Sequence, residues 1–301
     1  MPSKTDWMRT KNEQDPNDVL RPYEGYHWEG IYSNFREVPC SGQGFENSYW
    51  VQRSRLRTQA MISAACNGTS FHRQVRGQQG LLPLLVSMVG LGRKKVRVLD
   101  FGGGMGVSYF HVSQALPSAD FVDYTIVETA PVCKSARELF PDDSRVYFVD
   151  ELPATGVRFD IVYLNSSLQY IEDYSGLLNH LATYDPSYFL FVRLSAGAQP
   201  TYATAQMNVH GSQIPYWFVS LSEIVSIMSF DFSTGSGSFS IPAFPIITPK
   251  GVRSSCEAMP NIALLRYASS RASRIAFSMM NDATQITKAR PITENQEYQL
   301  I

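Results

Sequence analysis

Hydrophobic runs of strand length alternate with helix-like segments in the middle of the chain, between residue 96 and about residue 194. The runs are VRVLDF, FVDYTIVE, SRVYFV, FDIVYLN and YFLFVRL, and helical periodicity occurs at about 106–116, 131–140 and 175–183. Because parallel strands are joined by right-handed crossovers, this alternation predicts a mostly parallel sheet with helices on both faces. The predicted fold class is therefore α/β, and 301 residues allow one such core with an appended cap.

The segments on either side of this core have different patterns. Residues 1–75 are rich in aromatic and arginine side chains, and the stretch at 23–35 is predicted to be a loop. A helix is predicted at 50–66, and the whole segment is assigned to an N-terminal cap. Downstream, Ser220 and Glu223 match a capping box that opens the periodic segment LSEIVSIM, and strands are expected at 232–241 and 261–268. The predicted division is a cap at 1–75, a core domain at 76–270 and a polar tail at 271–301.

Charge and composition limit the kinds of partner that the protein is expected to bind. The chain has 26 Lys and Arg against 27 Asp and Glu, so it lacks the basic excess that favours nucleic acids. Its four cysteines have no zinc-ligand spacing, which predicts reduced thiols and no metal site. The longest apolar run, at 81–91, is too short to span a bilayer, and the N-terminus does not resemble a signal peptide. We therefore expect a cytoplasmic protein without a membrane span.

A glycine-rich loop follows the first strand of the core, in VRVLDFGGGMGVSYF at 96–110. A dinucleotide fingerprint requires G-x-G-x-x-G, but Val107 stands where the third glycine belongs. The pattern present is D-x-G-x-G-x-G, made by Asp100, Gly102, Gly104 and Gly106, with Gly103 inside the loop. A carboxylate about 4 Å from a pyrophosphate charge would cost roughly 4 kcal/mol at a dielectric near 20. The loop therefore favours S-adenosylmethionine (SAM), which carries an ammonium and a sulfonium and no phosphate, over NAD.

Acidic residues also follow the next two strands. Glu128 lies 22 residues after Gly106, where an acid accepts hydrogen bonds from ribose hydroxyls in nucleoside-binding α/β folds. Asp150, followed by Glu151, comes after the third strand and is a candidate for contact with the adenine edge. The alternative for Asp150 and Glu151 is a solvated turn.

Polar residues after the fourth and fifth strands are candidates for acceptor contacts, since ligands of open parallel sheets bind at the carboxyl ends of the strands. Asn165 and Ser166, with Gln169 nearby, are expected to line the cofactor or acceptor pocket. Arg193 ends an otherwise apolar strand and is expected to bind a carboxylate or phosphate of the acceptor.

These motifs resemble the class I SAM-dependent methyltransferases over about residues 90–268. More closely, the segments VLDFGGGMGVSYF, NSSLQYIEDY, FVRLSAG, SQIPYWFVSLSE and YHWEGIYSNF resemble an uncharacterised bacterial methyltransferase family associated with surface-polysaccharide genes. The resemblance implies a Rossmann-like sheet of seven strands with the last strand antiparallel, and SAM as methyl donor. Several members of the family have alanine or glycine at or next to Ser167, so the resemblance assigns that hydroxyl no catalytic role.

The resemblance also places acceptor contacts in the segment between the fifth strand and the capped helix, which contains Gln206 and His210. His210 is the candidate general base for a hydroxyl acceptor, because an imidazole titrates near neutral pH. Its alternative role is a hydrogen bond within its own loop. The aromatic stretch with Tyr26, Trp28, Tyr32 and Phe35 is predicted either to close over the pocket or to form a packed arm.

The predicted function is SAM-dependent methylation, expected at oxygen, of a small-molecule or saccharide-type acceptor. The sequence names neither the acceptor nor the oligomeric state. Two alternatives stay open: a catalytically silent SAM-binding scaffold of a polysaccharide assembly complex, and an NAD(P)-dependent oxidoreductase. The oxidoreductase is disfavoured by Asp100 and by the missing third glycine.

Overall fold

The computed structural model describes residues 27–67, 80–116, 119–209, 212–229, 262–266 and 277–279. Within these ranges the helices are α1 (Ser48–Cys66), α2 (Leu81–Gly90), α3 (Val107–Ala115), α4 (Ala130–Arg137), α5 (Tyr174–Ala182) and α6 (Leu221–Ser229). The strands are β1 (His27–Tyr32), β2 (Val96–Phe101), β3 (Val122–Val127), β4 (Val146–Val149), β5 (Ile161–Asn165), β6 (Tyr188–Val192), β7 (Ala196–Gly197), β8 (Tyr202–Val209), β9 (Ser212–Ser220), β10 (Ile262–Arg266) and β11 (Phe277–Met279).

The main sheet has the strand order β11-β10-β6-β5-β2-β3-β4. Its strands β2 to β6 run parallel, which confirms the predicted mixed α/β core with a parallel sheet. Strand β10 runs antiparallel to β6, and β11 runs antiparallel to β10. The expected strand at 261–268 is therefore present as β10, whereas the expected strand at 232–241 lies outside the described residues.

Both faces of the parallel strands are buried because the side chains of each strand alternate between two apolar layers. Val96 and Val98 of β2 pack with α2, α3 and α4 on one face. Leu99 of the same strand packs with α5 and α6 on the other face. Helix bounds agree with local capping: the Asn47 side chain accepts a hydrogen bond from the Tyr49 amide at the start of α1.

A second, four-stranded sheet has the order β1-β8-β9-β7. Strand β1 comes from the cap, where the prediction of a loop at 23–35 is wrong, and its antiparallel partner β8 comes from a segment for which no strand is predicted. Ala203, Ala205 and Trp217 of this sheet pack on the same face of the core as α5. The N-terminal segment is thus joined to the core by backbone hydrogen bonds.

The prediction of a capping box at the start of α6 is wrong, because Ser220 and Glu223 form hydrogen bonds with other residues. The Ser220 amide donates to Thr201 Oγ1 at 2.9 Å. The Glu223 carboxylate accepts hydrogen bonds from the hydroxyls of Tyr174 and Thr201. Hydrogen bonds to Thr201 and Tyr174, which are distant in sequence, therefore replace the mutual hydrogen bonds of Ser220 and Glu223 that the pattern S-x-x-E indicates.

Candidate functional site

The carboxyl ends of the parallel strands bring nearly all of the predicted site residues to one edge of the sheet. Strands β6, β5, β2, β3 and β4 are neighbours in that order. The residues that follow them are Arg193 after β6, Asn165 and Ser166 at the end of β5, Gly102, Gly103, Gly104 and Gly106 after β2, Glu128 after β3, and Asp150 after β4. His210 lies outside the described residues.

The glycine loop after β2 uses its glycines for two different reasons. Gly102, Gly104 and Gly106 have φ angles of +71°, +60° and +80°, a region that disfavours side chains. A Cβ at Gly102 would lie 2.5 Å from the Ser167 Cβ, whereas a Cβ at Gly104 would meet nothing within 4 Å. The backbone at Gly104 therefore faces open space, which is the geometry that a closely approaching ligand requires.

Asp100 lies beneath this loop and is fully buried. The Tyr124 hydroxyl donates to its Oδ2 at 2.8 Å, and Oδ1 has no hydrogen-bond partner among the described residues. A Cβ at Gly103 would lie 2.6 Å from the Asp100 carboxyl carbon, so the carboxyl group lies against the backbone of the loop. Asp100 Oδ1 is therefore a buried acceptor without a hydrogen bond among the described residues, which marks it as an unusual polar atom of the core.

Burial sets the protonation of this carboxyl group. Loss of solvation raises the pKa of Asp100 to about 7, opposed by the Tyr124 hydrogen bond and assisted by the charge of Glu128. Burial also raises the pKa of Tyr124 well above its ordinary value, so that hydroxyl remains a donor. A cation placed beside Oδ1 would favour the ionised form of Asp100 and lower its pKa.

Glu128 joins the end of β3 to the glycine loop. Its Oε1 accepts a hydrogen bond from the Gly104 amide at 3.0 Å, and its Oε2 accepts one from the Thr129 amide at 3.0 Å. Burial raises the pKa of Glu128, and the two amide hydrogen bonds lower it. Each carboxylate oxygen has a second acceptor site, so the same side chain can also receive hydroxyl donors.

Asp150 and Glu151 follow β4, next to Glu128 along the sheet edge, and both are exposed.

Four residues at the ends of β5 and β6 form a hydrogen-bonded group, which we call the strand-end network: Asn165, Ser166, Gln169 and Arg193. Gln169 Nε2 donates to Ser166 Oγ at 3.1 Å and to the Arg193 carbonyl at 3.2 Å. Arg193 Nε donates to Asn165 Oδ1 at 2.9 Å. Ser166 and Arg193 both have positive φ angles, +58° and +52°. Such backbone strain concentrates where the surrounding structure holds a functional geometry.

Aromatic side chains of the second sheet pack against aromatic residues of the short helical turns at 35–37, 44–46 and 168–170. The Tyr170 ring contacts those of Phe45 and Tyr216, with centroids 4.7 and 5.1 Å away. Trp28 packs edge-on against Tyr216 at 5.8 Å, and Phe35 stacks on Trp217 at 5.3 Å. Of the two interpretations of the N-terminal aromatic stretch, these contacts favour a packed arm; Tyr26 lies outside the described residues.

The sequence interpretation missed two partners within the site. It did not identify Tyr124 as the donor to Asp100, although a tyrosine inside an apolar strand signals a hydroxyl that needs a partner. It also missed Ser167, whose hydroxyl donates to the Phe101 carbonyl at 2.7 Å and holds the end of β2.

A polar cleft of about 440 Å³ lies at the opposite, amino edge of the sheet. Its arginines Arg93 and Arg158 form ion pairs with Asp160 and Asp185. The cleft is also lined by Lys95 and Arg97, so its lining carries an excess of positive charge, and it contains none of the predicted site residues. Across the described ranges, no cluster of three or more His, Cys, Asp or Glu side chains is arranged to hold a metal. In the same ranges, no helix is long and apolar enough to cross a bilayer.

No protein-family model and no curated protein match the chain. Among solved structures, the YcgJ protein from Bacillus subtilis matches at 19% identity and a TM-score of 0.36, over 51% of this chain and 66% of its own. An O-methyltransferase family protein from Burkholderia thailandensis matches at 15% identity and a TM-score of 0.36, over 60% of this chain and 48% of its own.

A third match is the Burkholderia thailandensis 1,6-didemethyltoxoflavin-N1-methyltransferase with bound 1,6-didemethyltoxoflavin and S-adenosylhomocysteine. It has 18% identity and a TM-score of 0.40, over 64% of this chain and 80% of its own. Similarity at these TM-scores carries no argument about activity, so the function rests on the residues of the site.

Proposed function

We propose that the protein is a SAM-dependent methyltransferase that binds SAM at the carboxyl edge of the parallel sheet. The observation that carries this proposal is the buried Asp100 carboxyl group, whose unpartnered Oδ1 lies against Gly103, next to the open backbone of Gly104. A buried carboxyl group at this point opposes a pyrophosphate and attracts a cation. SAM combines a nucleoside with a cationic aminoacyl end, and it therefore fits this loop better than a dinucleotide does.

The residues present fit the rest of SAM as well. Asp100 would accept from the ammonium group, the Gly102–Gly106 backbone would lie against the ligand, and Glu128 would accept from the ribose hydroxyls. Asp150 is proposed for the adenine edge, and Asn165 and Ser166 for the side of the pocket nearest the acceptor. SAM supplies an activated methyl group for an in-line substitution. The protein's own contribution is then to orient the two partners and exclude water, and proximity alone is worth roughly 7 to 11 kcal/mol.

For the acceptor we propose a small molecule or saccharide methylated at oxygen. His210 stays the candidate general base, and Arg193 the candidate acceptor-binding residue. Three further points remain proposals based on the sequence: the link to surface-polysaccharide genes, the cytoplasmic location, and the division of the chain at residues 75 and 270.

The first test compares ligands by thermal unfolding of the full chain. We expect SAM and S-adenosylhomocysteine to raise the melting temperature, while NAD⁺ and NADP⁺ leave it unchanged. Only SAM and S-adenosylhomocysteine carry an ammonium group that would lie beside Asp100. A ligand at 100 times its dissociation constant stabilises by about 2.7 kcal/mol. A shift with NAD⁺ and none with S-adenosylhomocysteine would contradict the proposal. Binding without turnover on any acceptor would support the scaffold alternative.

Glu128→Ala is expected to weaken S-adenosylhomocysteine binding about 10- to 100-fold, since hydrogen bonds to a charged acceptor contribute roughly 1.5 to 3 kcal/mol. Isothermal titration calorimetry measures the change, and circular dichroism checks the fold. Glu138→Ala is the matched control, because Glu138 is exposed and pairs with Arg55 away from the loop. Equal affinities of the two variants would show that Glu128 serves only to fasten Gly104.

A further inference from the structure

The strand-end network holds one arginine in a disfavoured backbone conformation at the edge of the sheet. Among the described residues, the positive-φ residues other than glycine are Ser166, Asp185 and Arg193, and Ser166 and Arg193 belong to this network. A side chain in the left-handed region is disfavoured, so it persists only where neighbouring contacts hold it. Ser166 and Arg193 directly follow the adjacent strand ends Asn165 and Val192, which are register partners.

Gln169 supplies the contact that holds both strand ends. It is 1% exposed, and its single amide group bridges the Ser166 side chain and the Arg193 carbonyl. The Gln169 amide nitrogen has two N–H donors and can make both hydrogen bonds, whereas an ionised glutamate of the same length has no donor. Its Oε1 is buried without a partner among the described residues, so the polar group is retained at an energetic cost.

The guanidinium group of Arg193 is held from one side only. Arg193 is exposed, its Nε donates to Asn165 Oδ1, and no carboxylate of the described residues forms an ion pair with it. The two terminal nitrogens therefore remain able to bind an anion in the bidentate manner typical of arginine.

The position of Arg193 separates this cation from the proposed SAM site. Strand β6 is two strands away from β2, with β5 between them. At about 4.8 Å per strand the two strand ends are roughly 10 Å apart. A cation next to the cationic end of SAM would repel it, whereas a cation at this distance is free to bind a second molecule.

We propose that Arg193, fixed by Gln169 and Asn165, is an anion-binding side chain, and that its ligand is a carboxylate or phosphate carried by the methyl acceptor. Gln169 is a positioning residue, since it acts through Arg193 and Ser166. This inference rests on the proposed function for the identity of the second molecule. The aminoacyl carboxylate of SAM has the same chemistry, so the experiment must separate the two sources.

The experiment measures anion binding and nucleoside binding separately on the full chain. Arginine Nε–H signals are followed by NMR in protein labelled with ¹⁵N-arginine while acetate, phosphate or neutral acetamide is added. The proteins compared are wild type, Arg193→Met, Gln169→Met, Gln169→Glu and the control Arg93→Met. Arg93 is an arginine of the opposite edge, where it pairs with Asp160.

We expect acetate and phosphate, but not acetamide, to shift the Arg193 signal, with saturating S-adenosylhomocysteine present. The anion dissociation constant should rise about tenfold or more in both Gln169 variants, where each tenfold change is 1.4 kcal/mol. The signal that the anions shift should be missing from Arg193→Met, which assigns it to Arg193. Gln169→Glu keeps the size of the side chain and removes its donor, so it tests positioning if Gln169→Met fails to fold. Arg93→Met should bind anions as wild type does.

Affinities for S-adenosylhomocysteine and for methylthioadenosine, which lacks the aminoacyl group, identify the source of the anion. Unchanged affinity for both in Arg193→Met supports the acceptor. A loss of at least tenfold for S-adenosylhomocysteine alone would overturn the proposal in favour of the SAM carboxylate. If acetate and phosphate shift no arginine signal in wild type, or if the signal that they shift is still present in Arg193→Met, the anion site itself is overturned. If wild type binds neither nucleoside, the proposed function fails, while the anion titration still decides whether Arg193 binds an anion.

Discussion

The wild-type protein is expected to lose stability as pH rises from about 4 to about 7, and the substitution Asp100→Asn is expected to abolish this dependence on pH. Burial raises the pKa of this carboxyl group from 3.8 to about 7 in the folded protein. Between these two values the unfolded chain has lost the proton and the folded protein retains it, so rising pH favours unfolding. About three pKa units correspond to roughly 4 kcal/mol at 1.36 kcal/mol per unit.

The sign can be checked at both ends of the interval. Below pH 3.8 both states carry the proton, and above about pH 7 both have lost it, so the contribution is constant outside the interval. The asparagine side chain cannot ionise and still accepts the Tyr124 hydrogen bond, so the variant should gain stability over wild type as pH rises. Urea unfolding of both proteins at pH 4.5, 6 and 7.5 measures this difference. A constant difference across the series would contradict a buried, neutral Asp100.

The same substitution should weaken the binding of S-adenosylhomocysteine. Its ammonium group beside Oδ1 would lower the pKa of Asp100, so binding near pH 7 should release a proton and tighten as pH rises. Calorimetry in two buffers of different ionisation enthalpy detects that proton. Asp100→Asn should abolish the release and cost at least tenfold in affinity. Wild-type binding with no exchange of protons would show that the ammonium group does not contact Asp100.

The second large effect is expected at Gly104, where alanine should reduce nucleoside affinity by about 100-fold, or close to 3 kcal/mol. A methyl group there meets nothing in the protein, so it would occupy the open space that the ligand needs. The φ angle of +60° adds strain of about 1 kcal/mol to the folded state.

Gly92→Ala is the control that separates the effect of backbone strain from obstruction of the ligand by the added methyl group. Gly92 has a φ angle of +73° and equally open surroundings, but it lies in the turn before β2, at the other edge of the sheet. Both variants should lose similar stability in thermal unfolding, and only Gly104→Ala should lose affinity for S-adenosylhomocysteine. If the two variants bind equally well, the ligand does not approach the loop at Gly104.

Local patterns determined the central part of this protein. Each parallel strand is an apolar run of a few residues, and both its length and its buried faces can be recognised without knowledge of its neighbours. The order of Asp100, the glycines and Glu128 along the chain likewise predicted their meeting at one edge, because parallel strands present their carboxyl ends together. These features depend on short segments and on one general rule of topology.

Tertiary structure decided what pairs with these residues. The sequence indicated a loop where β1 lies and no strand where β8 lies, because their pairing joins residues such as Gly30 and Thr204 that lie 174 positions apart. The partner of Asp100 depends on the register of β2 with β3, and the Gln169 bridge depends on two strand ends meeting. Local periodicity shows that a residue is in a strand, but only the packed strands determine which polar group is buried next to which. The loop motif was therefore predictable from the sequence alone, whereas the protonation of Asp100 and the strained setting of Arg193 followed from the folded chain.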